Sequence, residues 1–444
     1  MSRITPSSLT LLLGGLAGGG IAPALAQVQT APPSTPAAKV KAGKAPDGID
    51  LTFDFVGNLA GNPVGGVDQG TAASYWFMAQ SRLDLDTLFG VRKTEVDVQA
   101  AWFAGDNLAR EEIGSSISVQ QTWRPVAGGR LTRLTVKHRF DNGLSVTLGR
   151  APLNSYFNNS PLNCAFMSNA ICLTPFGPIT DIGITAYPNS SWAAMLRYDV
   201  DARWYAQAGV FDYDNALNAA GKNGVDFSLG KGTGTLSAGE IGYQTSFANA
   251  RLPRTVRIGA YRNSDGGKSP YFDVNGNSAG RTGKAFASLD GARTGAYAML
   301  DQTVWRGAGK RNLALFGRYF VNTGNVAPVQ YFAAAGLVKT GTFAGRDQDT
   351  FAMFVSDTHF DPEQMAYLRD RRIRHGGSGT PHNDEILGEI SYGYALRPGI
   401  VLMPNIQYVI NPDPIYAPTR TTDIPDALIL GLRVDVHFAQ LFGW

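Results

Sequence analysis

Residues 385–438 alternate apolar and polar side chains almost without a break, and that pattern excludes most folds. Ile390, Tyr392, Tyr394 and Leu396 share one face, while Glu389, Ser391, Gly393 and Ala395 share the other. An Arg397-Pro398-Gly399 turn follows. Ile400, Leu402, Ile406, Tyr408 and Ile410 then alternate with Val401, Met403, Asn405, Gln407 and Val409. After a proline-rich loop, Leu428, Leu430, Leu432, Val434, Val436 and Phe438 are interleaved with Gly431, Arg433, Asp435 and His437. Period two is the mark of a strand with one apolar and one polar face. Strands of about ten residues joined by tight turns predict an all-β chain, a transmembrane antiparallel β-barrel that is apolar towards lipid and wet inside. A soluble sandwich also alternates, but its polar outer face leaves the aromatic strand ends without a role.

The same pattern recurs upstream. Strand-like segments run near 51–60, 73–85, 94–104, 131–140, 144–150, 192–199, 204–212, 236–247, 254–262, 292–304, 311–321, 331–342, 349–359, 384–395, 400–410 and 427–438. That is about sixteen strands, an even number, with both chain ends on the periplasmic side. Ser116–Thr122 and Ile182–Tyr187 also look strand-like, so eighteen is the runner-up. Parity favours sixteen: periplasmic turns are short, which makes 105–130 and 151–191 long outward loops, at least one of them able to fold into the channel mouth.

Composition agrees with a large barrel: 52 Gly, 23 Phe, 17 Tyr and 7 Trp in 444 residues, with a mean hydropathy of −0.11. A net charge of +3 argues against a nucleic-acid partner. The basic cluster Arg369, Arg371, Arg372 and Arg374 reads as a solvated or lipopolysaccharide-facing loop. Residues 1–26 read as a secretory signal, with Arg3 as the basic region, an apolar run over 9–25 and a cleavage site at Ala24-Leu25-Ala26. Residues 27–50, rich in proline, alanine and lysine, read as a flexible periplasmic lead-in to a barrel over 51–444.

Cys164 and Cys172 are the two cysteines of an exported chain, so a disulfide between them is expected. Metal binding and cofactors are not expected, because no histidine or further cysteine is near them. With the apolar face against lipid, the other face lines the lumen. That places Arg82, Arg133, Lys137, Arg139, Arg197, Arg257, Arg318 and Arg433 inside, together with Glu240, Glu389 and Asp435. Arg150 ends the strand that leads into the cysteine loop and is expected near the constriction. Trp76 and Phe316 fall on the inner face, where flat rings suit stacking on sugars. Arginine offers fixed donors to hydroxyls. An enzyme is not expected: the five histidines (138, 359, 375, 382 and 437) lie with no nucleophile or paired carboxylates around them that would make a hydrolytic site.

Several segments resemble the carbohydrate-selective porin family (OprB-type). They are residues 130–150 (RLTRLTVKHRFDNGLSVTLGR), 163–172 (NCAFMSNAIC), 187–212 (YPNSSWAAMLRYDVDARWYAQAGVFD), 388–412 (GEISYGYALRPGIVLMPNIQYVINP) and 427–438 (ALILGLRVDVHF). The resemblance covers about 50–440 in the same order. It implies a bacterial outer-membrane porin for passive diffusion of carbohydrates, monosaccharides and related polyols, into the periplasm. One departure is that residues 439–444 follow Phe438, where such chains ordinarily stop, so the signal read by the barrel-assembly machinery moves to Trp444. Two alternatives stay open: a general or weakly anion-selective porin, and a surface-binding or adhesion barrel using loops 264–291 and 361–383. Outer-membrane lipid and lipopolysaccharide are the expected surroundings, with the chain as a monomer or a homotrimer.

Overall fold

The computed structural model describes residues 47–442, apart from 126, 173–175, 215, 217–218, 220 and 229–232. The proposed signal and most of the lead-in therefore lie outside the described residues. Sixteen strands close into one antiparallel barrel: β1 (Ile49–Val64), β2 (Thr71–Asp84), β3 (Thr94–Gly105), β4 (Gly128–Arg139), β5 (Leu144–Ala151), β6 (Ser191–Asp199), β7 (Trp204–Tyr213), β8 (Gly234–Gln244), β9 (Arg254–Asn263), β12 (Arg293–Arg306), β13 (Asn312–Asn322), β14 (Val329–Thr340), β15 (Thr350–Phe360), β16 (Asp384–Arg397), β17 (Ile400–Ile410) and β18 (Ala427–His437). Two short strands, β10 (Lys268–Asp273) and β11 (Phe286–Ser288), form a separate hairpin in the β9–β12 connection. Each expected segment has its strand. Ser116–Thr122 and Ile182–Tyr187 add none, which settles the count at sixteen.

Closure joins the first strand to the last, with Phe55 opposite Val436 and Leu59 opposite Leu432. A closed sheet has no edge, so every strand finds its hydrogen-bonding partners inside the wall. The alternation resolves as two surfaces. Phe77, Trp102, Leu148, Leu196, Ile241, Ile258, Val355, Ile390, Ile406 and Leu430 stand out from the wall and are exposed, while the residues between them turn inward and are mostly buried. Among the described residues no helix is long and apolar enough to cross a membrane, which says nothing against crossing by strands.

The connections differ at the two ends. One end carries tight links such as 140–143, 200–203 and 398–399; the other carries the long loops. A helix (Pro362–Arg374) forms in the β15–β16 loop, started by Asp361, whose side chain accepts the Glu363 N–H, with Pro362 in the first turn. It docks on a short helix (Ala279–Thr282) through Asp370, a buried carboxylate that accepts from Ser278 Oγ at 2.6 Å and from Tyr271 Oη and Arg281 Nε at 3.1 Å. The expected run of the last strand to Phe438 stops one residue short. Phe438 begins a C-terminal helix (Phe438–Phe442), and its ring stacks on Phe442 at 6.2 Å.

Candidate functional site: a lumen narrowed by two inward loops

Two long connections enter the barrel. The first, residues 106–127, buries Ile117 and Val119 and is bonded to the wall from several sides. Gln407 Nε2 donates to the Val119 carbonyl at 3.1 Å, Gln120 Nε2 donates to Ala72 O at 3.1 Å, and the Ser74 and Thr122 hydroxyls meet at 2.6 Å. The second, residues 152–190, carries the cysteines. The loops also bond to each other, Gln121 N to Met167 O and Asn169 N to Ser118 O, both at 2.8 Å. A loop buried this way must satisfy its backbone groups from its surroundings. The inner-face charges do that here.

Glu389 accepts the N–H groups of Met167 at 2.7 Å and Ser168 at 2.8 Å. Arg433 Nη1 donates to the carbonyls of Cys164 and Phe166 at 2.9 and 3.0 Å, while its Nε holds Asp435 at 2.7 Å. Arg257 Nη1 donates to Asn159 O at 2.6 Å. Arg318 donates to Asn163 Oδ1 at 3.0 Å and pairs with Asp301 at 2.6 Å. Glu240 accepts from Tyr205 and Tyr297 hydroxyls at 2.7 Å each and from Asn158 N at 3.3 Å. Wall and loop form one hydrogen-bonded unit, and charge-assisted bonds of this kind are the strong ones.

The remaining expected lumen residues form a ladder on β2–β6. Arg82 pairs with Asp97 at 3.3 Å, and Lys137 and Arg139 share Glu95 at 3.7 and 3.1 Å. Arg197 pairs with Asp199 at 2.8 Å and lies 3.6 Å from the Tyr205 ring centre. Arg133 is almost wholly buried, over the Tyr156 ring at 5.7 Å. Trp76 and Phe316 face inward, but the inward loop occupies them. Trp76 packs in a cluster with Val56, Met78, Phe103 and Tyr187. Phe316 meets Phe166 edge-on at 5.8 Å, with Arg318 over its other side at 4.9 Å.

Two expectations are not met. Arg150 is not at the constriction. It follows Leu148 by two positions and is paired across the ladder with Leu134 and Trp192, so it leaves the wall on the lipid side. A bare arginine there costs about 2–4 kcal/mol at the mid-plane and ~0–1 near an interface. Arg150 sits near the strand end and is covered by the β7–β8 connection, donating to Asp226 O at 2.6 Å and Ser190 O at 2.7 Å. Cys164 and Cys172 carry no S–S bond in this structure. The Cys172 thiol donates to Gln121 Oε1 at 3.3 Å, and its neighbour Cys164, together with burial, pushes it up.

Beneath the cysteine loop, a cavity of about 820 Å³ opens towards the short-linked end. At ~30 Å³ per water it has room for a hydrated solute of monosaccharide size, well beyond a single file of water. Its walls include Leu162, Cys164, Arg257, Asp301, Arg433 and Asp435, together with Arg254, Arg306, Lys310, Arg311 and Phe247, which the strand pattern did not single out. Arg306 lies over the Phe247 ring at 4.6 Å. Among the described residues no group of three or more His, Cys, Asp or Glu side chains is placed to hold a metal.

A closed sixteen-strand barrel, apolar outside and narrowed by its own loops around a charged cavity, defines a porin-type channel protein. The comparison with known proteins is specific. Residues 68–438 match the family described as carbohydrate-selective porin, OprB family, and the chain belongs to it. It is 27% identical over 412 residues to Porin B of Pseudomonas aeruginosa, covering 88% of each chain. It is 24% identical over 378 residues to a putative porin, QuiX, of Acinetobacter baylyi, covering 81% of each. Among solved structures it resembles the high-pH structure of Pseudomonas putida OprB, with a TM-score of 0.79, 26% identity, and coverage of 88% of this chain and 94% of that one.

Proposed function

We propose that the chain is an outer-membrane porin through which carbohydrates of monosaccharide or polyol size diffuse passively into the periplasm. The observation that carries this reading is the inward cysteine loop. Glu240, Glu389, Arg257, Arg318 and Arg433 clamp it, leaving a cavity of about 820 Å³ lined by guanidinium donors, carboxylate acceptors and the Phe247 ring. Hydroxyl-rich neutral solutes need donors and acceptors in fixed places together with a flat apolar surface, and Arg306 over Phe247 offers both. Opposed charges across a narrow lumen let such a solute shed water in steps. The chain is then a channel and not an enzyme, exported with cleavage after Ala26. The cysteines pair once they meet an oxidising compartment.

A second reading has its own support. Arg254, Arg257, Arg306, Lys310, Arg311 and Arg433 line the cavity against Asp301 and Asp435, which favours anions. Swelling of liposomes carrying the purified protein, in glucose, other sugars, and non-sugar solutes and ions of the same size, separates the two. Faster entry of sugars than of equal-sized non-sugars supports carbohydrate selectivity. Equal entry with a preference for anions favours the general porin, and negligible conductance leaves the adhesion barrel.

A further inference from the structure

The outside of the barrel carries a second feature, independent of which solute the lumen passes. Residues 221–228 of the β7–β8 connection lean over the outer surface near the long-loop end. Leu131 N donates to Asn223 O at 2.9 Å, and Trp192 Nε1 donates to Phe227 O at 3.1 Å. Between this connection and the wall lies a pocket of about 260 Å³ whose charged walls are Arg130, Arg150, Lys222, Asp212, Asp214 and Asp226. Three cations face three carboxylates, so a bare phosphate gains little net attraction there. Mixed donors and acceptors around a small space suit hydroxyls instead. The Arg150 Nε is buried with no hydrogen-bond partner among the described residues, although both of its terminal nitrogens are bonded.

A second depression continues from this pocket, sharing Arg130, Leu131 and Asn223 with it. It is about 780 Å³ and lined almost entirely by apolar groups. Its floor follows the register row Phe53, Ala79, Ala100, Leu131 across β1–β4, where two alanines sit between larger side chains. Phe77 and Trp102 stand beside the row, and Phe442 of the C-terminal helix is at its far end, towards the short links. Three strand spacings make it roughly 14 Å long. A polar pocket at the long-loop end opening into a dry slot that descends towards the other end has the shape of one amphiphile.

We propose that this surface binds a saccharide-headed lipid of the outer leaflet, with a sugar ring in the pocket at Arg150 and Asp212 and an acyl chain lying over Ala79 and Ala100. The test is native mass spectrometry of the purified full-length protein with added lipid A, a sugar-headed lipid, or phosphatidylglycerol, a phospholipid without a sugar ring. Wild type is expected to retain lipid A at concentrations where phosphatidylglycerol is lost. Ala100→Trp, which fills the slot, and Asp212→Ala, which removes a headgroup acceptor, each lower that retention by roughly tenfold, while glucose entry into liposomes stays at the wild-type rate. Equal retention of both lipids, no retention of lipid A, or unchanged retention in Asp212→Ala overturns the proposal. So does a dimer or trimer that Ala100→Trp abolishes, because the slot then belongs to a second copy of the chain. Should Ala100→Trp fail to assemble, Ala79→Leu supplies the same obstruction. Failure of sugar entry in wild type overturns the transport reading and leaves this one standing.

Discussion

Glu389, on the inner face of β16, accepts the backbone N–H of Met167 at 2.7 Å across 222 positions of sequence. The carboxylate is a structural clamp on the loop that narrows the lumen. Glu389→Ala strands the Met167 and Ser168 N–H groups in a buried place, at a cost of roughly 1–3 kcal/mol for a group left unsatisfied. The expected result is a channel of higher and noisier single-channel conductance in planar bilayers. Wild-type conductance would show that other contacts suffice to hold the loop.

Arg306 on Phe247 is one of the solvated cations of the cavity wall. Arg306→Ala should lower the anion-to-cation permeability ratio by roughly two- to fivefold, the factor that a 0.5–1 kcal/mol exposed charge interaction represents. It should also weaken glucose block of the ion current. Reversal potentials in a salt gradient and current noise under added glucose read the two effects separately.

Cys164 and Cys172 lie close enough to share a hydrogen bond, so oxidation needs little rearrangement of the loop. The protein isolated from the envelope is expected to be lighter by two hydrogen masses than its reduced form in intact-mass measurement. Replacing both cysteines with serine should increase conductance fluctuations, because Cys164 borders the cavity. Unchanged recordings would assign the pair a purely protective role.

Asp413, in the β17–β18 loop, is buried beside Glu385. It accepts from Ser116 N at 2.8 Å, and its own N–H donates to Glu385 at 2.7 Å. Burial raises the Asp413 carboxyl above the ordinary aspartate value, against the hydrogen bonds from Ile415 and Ser116 that lower it. The folded state therefore binds more proton than the unfolded one between the ordinary and the raised value. Stability from this contact is full below the ordinary carboxylate value and is lost as pH rises through the raised one. Docking of the 106–127 loop should loosen with increasing pH, and Asp413→Asn combined with Glu385→Gln, which removes both titrating members of the pair, should flatten that dependence. Amide hydrogen exchange at Ile117 and Val119 measures it.

The barrel was legible because lipid on one side and water or polar loop on the other impose period two on every strand, as Ile390 to Leu396 already displays. The inward position of 106–127 was not. Ile117 and Val119 alternate with polar residues as a strand would, but their burial depends on partners such as Gln407, 288 positions away in the chain. Arg150 had a signal that charge obscured: Leu144, Val146 and Leu148 set the parity of β5, and Arg150 continues their outward series. Trp76 and Phe316 were legible as inward-facing, whereas their contacts with Tyr187 and Phe166 are set by the path of a loop without periodic pattern. Arg306 and Arg311 lie where strands give way to links, and there alternation stops carrying information.

The seam between β1 and β18 has a consequence for biogenesis. Until β18 emerges, one edge of the first strand has no mate, since β2 covers only the other, and a sheet lacking its last stave would present raw amide groups to hydrocarbon. Insertion must wait for the whole polypeptide, and a nonsense mutation anywhere before Ala427 discards the entire vessel instead of yielding a smaller one.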